Sequence, residues 1–450
     1  MSSNYVRPLG VALCLLITTC QVDASPTNTT QSLSDQTSNN PNRPAAEEPT
    51  GSLVLSQALA LALTQNPELS AFSWESRAQE AATLQAGLFP NPTFNANAAN
   101  FGNQVIKGFD GDVVTLELSQ LIELGGKRTA RIEAAALTKQ LADWDYEAKR
   151  ADILTQVTQA FIDVLTAQQR LTLTQQTHEL ANQTTVTTTA RVQAGKVSPV
   201  EETKAKVARA SVQIELMRSQ KELEAARKRL AAGWGSTTPR FETVSGNLEN
   251  IQVPVSLDSL AQRLSKNPDL ARWATEITQR QALITMEKSK AVPDVTATVG
   301  ASKYLMPNDY ALVVGFSVPL PVFDRNQGRI QEAEHRLTKA EDELRSAEVR
   351  IATALNTAYQ ALDTAHLEII TLQQDILPGA QSAYDAACEG YRLGKFGFLD
   401  VLDAQRTLFS AKNQYLLALA EYHKSVANVE RLVGSSINET ATNSPSEVSQ

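Results

Sequence analysis

Aromatic side chains are scarce: only 6% of the 450 residues are Phe, Trp or Tyr, although 42% are hydrophobic. A chain of this length can bury a sizeable core, but with so few rings the core must be built mainly from alanine, leucine and valine, which favours long helix seams. Cysteine is almost missing. Of the three present, Cys14 and Cys20 fall in an N-terminal leader, leaving Cys388 as a small packed side chain and excluding an intramolecular disulfide framework. Basic residues are outnumbered, 41 against 49 acids for a net charge of −8, and none cluster into a stripe with interleaved aromatics. Nucleic acid is therefore excluded as a partner.

Other absences narrow the chemistry. The four histidines, His178, His335, His366 and His423, are dispersed, with no pair at ligand spacing and no companion cysteines, so no dedicated metal site is expected. Gly125-Gly126-Lys127-Arg128-Thr129 is not a phosphate loop, because Leu121 stands where such a loop needs glycine; the pair reads instead as a strand-to-helix corner. No Ser, His and Asp grouping and no pocketed pair of carboxylates stands out, so neither catalysis nor a cofactor is expected.

The only long apolar run near the start, Leu9 to Ile17, is too short to span a bilayer. Preceded by Arg7 and followed by Val22-Asp23-Ala24, it reads as a signal peptide over residues 1–24, cut before Ser25. Cys20 is the alternative, as a lipidation site, although Thr19 before it is bulkier than the small residue expected there. Residues 25–51 and 435–450 are polar and read as a disordered linker and tail.

Between them the chain repeats itself. Asn66-Pro67-Glu68-Leu69 returns as Asn267-Pro268-Asp269-Leu270 and Pro92 as Pro293, both shifted by 201; Arg131-Ile132 returns as Arg329-Ile330, shifted by 198, and Gly195-Lys196 as Gly394-Lys395, shifted by 199. This divides the body into a first repeat over 52–235, a connector over 236–256 and a second repeat over 257–434.

Each repeat opens with a helical segment, 52–88 or 257–291, and passes into strand-like alternation. Phe94, Ala96 and Ala98 share one face, and Val114, Leu116 and Leu118 share another after a loop holding Gly108, Asp110 and Gly111. In the second repeat Val295, Ala297 and Val299 precede Pro307-Asn308-Asp309, and then Leu312, Val314, Phe316 and Val318 alternate. These are two β-hairpins. Strands of about 10 residues with one apolar face have the length to cross a bilayer when tilted; a small soluble sheet packed on helices is the alternative. Because a membrane sheet must close to hide its edges, four strands per chain imply oligomerisation.

A very long helical pattern comes after each hairpin, over 127–192 and 326–393, extending roughly 100 Å at 1.5 Å per residue. In the second, Ile351, Leu355, Ala358, Leu362, Ala365, Ile369, Leu372 and Ile376 keep a strict 4-3 spacing, the mark of a coiled-coil seam. Its counterpart is Ile153, Val157, Ala160, Val164, Ala167, Leu171, Thr174 and His178. Pro378 predicts an interruption and bend. The helices turn at Gly195 and Gly394 and return over 199–233 and 398–434.

Several runs carry a family resemblance across residues 52–434: Gln85-Ala86-Gly87-Leu88-Phe89-Pro90-Asn91-Pro92, Glu123-Leu124-Gly125-Gly126-Lys127-Arg128, and Pro319-Leu320-Pro321-Val322-Phe323-Asp324-Arg325-Asn326-Gln327-Gly328. With Asn66-Pro67-Glu68-Leu69 they resemble the outer-membrane efflux proteins, the TolC-like exit ducts, and within them the cobalt-zinc-cadmium branch. The resemblance implies a mainly α fold with a small membrane β part. Three chains would form a twelve-stranded barrel in outer-membrane lipid, continued by an α-helical barrel across the periplasm. The implied partners are a periplasmic adaptor and an inner-membrane proton-driven pump of the resistance-nodulation-division type, and the implied cargo is divalent metal. A periplasmic adaptor is the competing reading, but adaptors have one helical hairpin and this chain has two; the same duct serving drugs is another.

The resemblance also points to the helix tips. Tyr391-Arg392-Leu393-Gly394-Lys395 followed by Leu399-Asp400-Val401-Leu402-Asp403 matches the family's tip motif, which implies that Asp400 and Asp403 form acidic rings at the periplasmic mouth. Spaced by three, they share a helix face; gathered by threefold symmetry, they would raise one another's pKa and hold cations. The alternative is a pair of solvated acids favoured by the helix N-terminus. The first-copy positions are Glu201 and Lys204, so Glu201 and Tyr391 complete the expected gate. Phe396 stands where some members have a basic residue that latches the mouth. The tips, Gly195-Lys196-Val197-Ser198 and Gly394-Lys395-Phe396-Gly397, are the expected adaptor-docking surface.

Overall fold

The computed structural model describes residues 48–99, 113–305 and 308–437, all within the unit Ala45–Gln450. The leader with Cys14 and Cys20, the loop residues Gly108, Asp110 and Gly111, Pro307 and the tail from 438 lie outside the described residues. The first half runs β1 (Gly51–Val54), α1 (Leu55–Gln65), α2 (Pro67–Ala86), β2 (Thr93–Ala99), β3 (Val113–Ile122), α3 (Lys127–Gln193), α4 (Pro199–Ala232) and β4 (Phe241–Ser245). The second runs α5 (Leu257–Ala261), a 3-10 turn (Leu264–Lys266), α6 (Pro268–Lys290), β5 (Val295–Tyr304), β6 (Asp309–Ser317), α7 (Gln327–Thr371), a π turn (Leu372–Ile376), α8 (Leu377–Arg392) and α9 (Phe398–Val433).

The helical segments expected over 52–88 and 257–291 are both broken at the repeated Asn-Pro. Asn66 and Asn267 take extended backbone angles, which a following proline favours, and each begins a new helix with proline in its first turn. The Asn66 side chain accepts from the Leu69 N–H at 2.9 Å and donates to the Gly233 carbonyl at 2.8 Å. Asn267, fully buried, accepts from Asp269 N–H at 2.7 Å and donates to the Leu432 carbonyl at 2.8 Å. Each asparagine thus caps one helix and ties it to the end of the return helix in its own repeat, a role worth about 1–2 kcal/mol.

The sequence pattern gives no sign of β1. It pairs in parallel with β4, about 190 residues away, which places residues 51–54 in a strand instead of a helix. Order also reaches past both expected body limits. Glu48 accepts from the Arg240 N–H at 2.6 Å, and Ile437 is buried against the core. Residues 48–51 and 435–437 are therefore structured, because they have partners that composition could not reveal.

The two hairpins join into one sheet, ordered β2-β3-β5-β6 and antiparallel throughout. Registers Phe94↔Leu118↔Val299↔Val314 and Ala96↔Leu116↔Ala301↔Leu312 put the apolar positions of all four strands on one face. That face is uncovered: Phe94, Leu312 and Phe316 are 67%, 76% and 74% exposed. A soluble sheet packed on helices would bury them. The opposite face carries hydroxyl rungs, Thr115 to Ser302 at 2.8 Å and Ser119 to Thr298 at 3.0 Å. Among the described residues no helix is long and apolar enough to cross a membrane, and the sheet has the alternation suited to that task.

At 67 residues α3 is about 100 Å long. It packs against α4 as one hairpin; α7 and α8 pack against α9 as the other, and α3 against α9 joins them. The seams sit where expected. Ile153, Val157 and Val164, with Leu355, Leu362 and Ile369, are almost completely buried, in a core shared with Leu53, Phe241 and Val429. Each such side chain contributes roughly 1.5–3 kcal/mol by leaving water. Ile376 departs from the seam and is 41% exposed. The reason is the π turn at Leu372–Ile376, whose extra residue rotates the helix off the seam just before Pro378. The interruption expected at Pro378 takes this form.

The most distinctive sequence runs prove to be corner hardware between sheet and helices. Asp294 accepts from Lys127 Nζ at 2.6 Å and from the Leu124 N–H at 2.9 Å; Arg131 grips Glu123 at 2.6 Å and the Ala86 carbonyl at 2.7 Å. A side chain at Gly125, whose φ is +69°, would meet Val292 at 2.7 Å. In the second repeat Asn326 holds φ 59° while its amide donates to the carbonyl and carboxylate of Glu287 at 2.8 and 2.7 Å.

Candidate functional site at the helical tips

The two tips are built alike. Gly195 and Gly394 have φ of +68° and +75°, a conformation that favours glycine. In each, the next residue closes the helix end over five positions: Lys196 N–H to the Arg191 carbonyl at 2.9 Å, Lys395 N–H to the Gly390 carbonyl at 2.8 Å. The expected docking residues Gly195, Lys196, Ser198, Gly394, Lys395, Phe396 and Gly397 are exposed, and Val197 is half-buried. Leu393 and Leu399 add exposed apolar surface beside them.

The return helices start differently. Ser198 accepts from the Val200 N–H at 3.3 Å, with Pro199 beginning α4. Gly397 has no side chain to cap α9, and the Asp400 carboxylate reaches back to its N–H at 2.8 Å. Phe398, Val401 and Gln405 form the buried stripe of α9, so Asp400 and Asp403 lie off it and are both exposed. One acid therefore has a capping duty in addition to its charge, while Asp403 carries its charge outward.

Tyr391 is where the two repeats meet. The Arg191 guanidinium, from the end of α3, stacks 4.2 Å from the Tyr391 ring centre and donates to the Tyr391 carbonyl at 3.3 Å. Phe398 meets the same ring edge-on, centroids 6.2 Å apart. The Tyr391 hydroxyl and one Glu201 carboxylate oxygen are buried with no hydrogen-bond partner among the described residues. Phe396, in place of a basic latch residue, seats its ring on Gly390, where an added Cβ would collide with it. Neither Arg191 nor Gly390 stands out in the sequence: they correspond under the 199-residue shift, yet have unrelated jobs. Flanking pairs brace the tips: Arg392 holds Glu389 at 2.6 Å and Lys206 holds Glu202 at 2.6 Å, and in both the cation's hydrogen bond lowers the carboxyl pKa.

An uncovered membrane-type sheet, two duplicated long hairpins and paired tips define an outer-membrane channel rather than an adaptor with a single helical hairpin. A family model for outer membrane efflux proteins matches residues 58–236 and 260–435, and the chain belongs to that family. It is 36% identical over 427 residues to the cobalt-zinc-cadmium resistance protein CzcC of Cupriavidus metallidurans, covering 95% of this chain and 98% of the relative. It is 26% identical over 293 residues, 65% of each chain, to the nickel-cobalt-cadmium resistance protein NccC of Alcaligenes xylosoxydans xylosoxydans. Among solved structures, CusC, described in terms of transmembrane channel formation, superposes with a TM-score of 0.72 at 16% identity, over 85% of this chain and 92% of that one. The protein is thus an outer-membrane channel of the efflux type, with its helical part in the periplasm.

Proposed function

We propose that three copies form the passive exit duct of a tripartite, proton-driven efflux system that expels divalent heavy-metal cations. The carrying observation is the register that gathers Phe94, Leu116, Val299, Val314 and Phe316 on one uncovered face of a sheet whose outer strands, β2 and β6, each have one edge open among the described residues. Closure of four strands into a barrel requires more copies, and three give twelve strands. The metal cargo is supported by the cobalt, zinc, cadmium and nickel named for the relatives. Asp400, Asp403 and the half-buried Glu201 then gather around one axis at the mouth, with Tyr391 behind them, and the exposed tips offer the surface for a periplasmic adaptor and, through it, an inner-membrane pump of the resistance-nodulation-division type.

Deletion of the protein should lower tolerance to one or more of cobalt, zinc, cadmium and nickel salts, and the purified chain should run as a detergent-dependent trimer. Unaltered tolerance to every metal would remove the cargo assignment; a detergent-independent soluble monomer would remove the duct.

A further inference from the structure

The strands' polar face carries a charge that none of the gate residues supplies. Glu117 sits mid-strand in β3, on the face with Thr115 and Ser119 and opposite the lipid-type residues Leu116 and Leu118. Its partner across the ladder is Gly300, and a Cβ there would lie 2.9 Å from Glu117 Cγ. The glycine leaves room for the stem of the Glu117 side chain beside β5. Around it the hydroxyls are spent on one another, Thr115 with Ser302 and Ser119 with Thr298. Among the described residues of the four strands this face holds two acids, Glu117 and Asp309 at the start of β6, and no base; Lys303 points to the other face, with its ammonium 5.6 Å from the Tyr310 ring centre.

We infer that Glu117 sets the charge selectivity of the outer-membrane barrel, as a ring of carboxylates inside the lumen, distant from the periplasmic mouth. The inference rests on the trimeric-duct reading. Twelve strands about 4.8 Å apart and tilted by about 40° enclose a barrel of roughly 12 Å radius, which places a glutamate carboxylate about 7 Å from the axis. That is inside the Debye length of about 10 Å at 0.1 M salt, so the three charges concentrate a monovalent cation on the axis by about fourfold and deplete anions similarly. The ring favours passage of cations without binding them, as a duct for metal ions requires.

The test is reversal potential in planar bilayers under a KCl gradient, using the full chain in an Asp400→Asn, Asp403→Asn background so that the mouth does not set selectivity. At about 0.1 M salt Glu117→Gln should cut the cation-to-anion preference about sixteenfold and Glu117→Lys should invert it, with Glu117→Asp close to the parent. At about 1 M, where the Debye length is about 3 Å, the variants should converge. Trimeric channels whose selectivity is the same in all four proteins would overturn the role of Glu117 and leave the duct standing. A parent that forms no channel would overturn both.

Discussion

The guanidinium of Arg191 lies over the ring of Tyr391, 4.2 Å from its centre, and so fastens the tip of the first repeat to the tip of the second. The contact spans 200 residues and adds a hydrogen bond to the Tyr391 carbonyl. In a duct that opens by separating its hairpins, this is a clasp. A cation-π contact of this kind is worth about 1 kcal/mol, so Arg191→Ala should raise the open fraction of single channels about fivefold. Tyr391→Phe keeps the ring and removes a hydroxyl that has no partner among the described residues, and should leave closure unchanged. Equal leakage from both variants would show that the hydroxyl, rather than the stack, holds the mouth.

The acid pair calls for substitutions that separate charge from capping. Asp400 Oδ2 accepts from Gly397 N–H, so Asp400→Ala removes a cap worth about 1 kcal/mol along with a charge. Asp400→Asn with Asp403→Asn keeps an acceptor and removes only charge. The double Asn variant should lose block by multivalent cations at the periplasmic side while the melting temperature of the trimer changes little. Block undiminished in that variant would return both residues to the role of ordinary helix-start acids.

Asn267 offers a cleaner stability test, since it is fully buried and both ends of its amide are engaged. Asn267→Ala should destabilise by about 2 kcal/mol, read as a lower midpoint in denaturant, because a cap is lost and the Leu432 carbonyl loses its partner. Asn66→Ala should cost somewhat less, since its site is less buried. Near-identical midpoints for the parent and both variants would mean that the repeated Asn-Pro matters for backbone geometry alone.

Glu287, at the corner below the sheet, gives the pH dependence. Burial pushes its pKa up, but hydrogen bonds from Lys290 and Asn326, together with the charges of Lys290 and Arg329, outweigh burial and leave it below the ordinary value. A folded-state pKa below the unfolded one means stability that is fully present above the unfolded carboxylate range and lost as pH falls through the folded pKa. Glu287→Gln should therefore flatten part of the acid limb of a melting-temperature profile and leave its neutral region lower than the parent's. An acid limb of unchanged slope would indicate that other carboxylates govern it.

Much of this was legible because periodicity is local. The alternation of Leu312, Val314 and Phe316, the 4-3 spacing from Ile351 to Ile369 and the tip glycines each reveal themselves within a few residues, and the structure places them accordingly. The features that escaped are non-local. β1 is four residues long and its partner Phe241–Ser245 lies far along the chain, so no window contains both. The Asn-Pro pairs were visible as repeat markers, yet their carbonyl partners, Gly233 and Leu432, are known only once the return helices are in place. At the tips Asp400 and Asp403 were singled out by resemblance, whereas Arg191 could not be, because its contact is with a ring in the other repeat.

The open edges of β2 and β6 have a genetic consequence. If each barrel needs every chain to pair on both sides, a single copy unable to pair through β6 spoils the whole assembly it joins. Equal amounts of parent and edge-defective chain would leave only about one assembly in eight free of the defect. Edge alleles should therefore behave as dominant negatives, while tip alleles that still assemble should be recessive or graded.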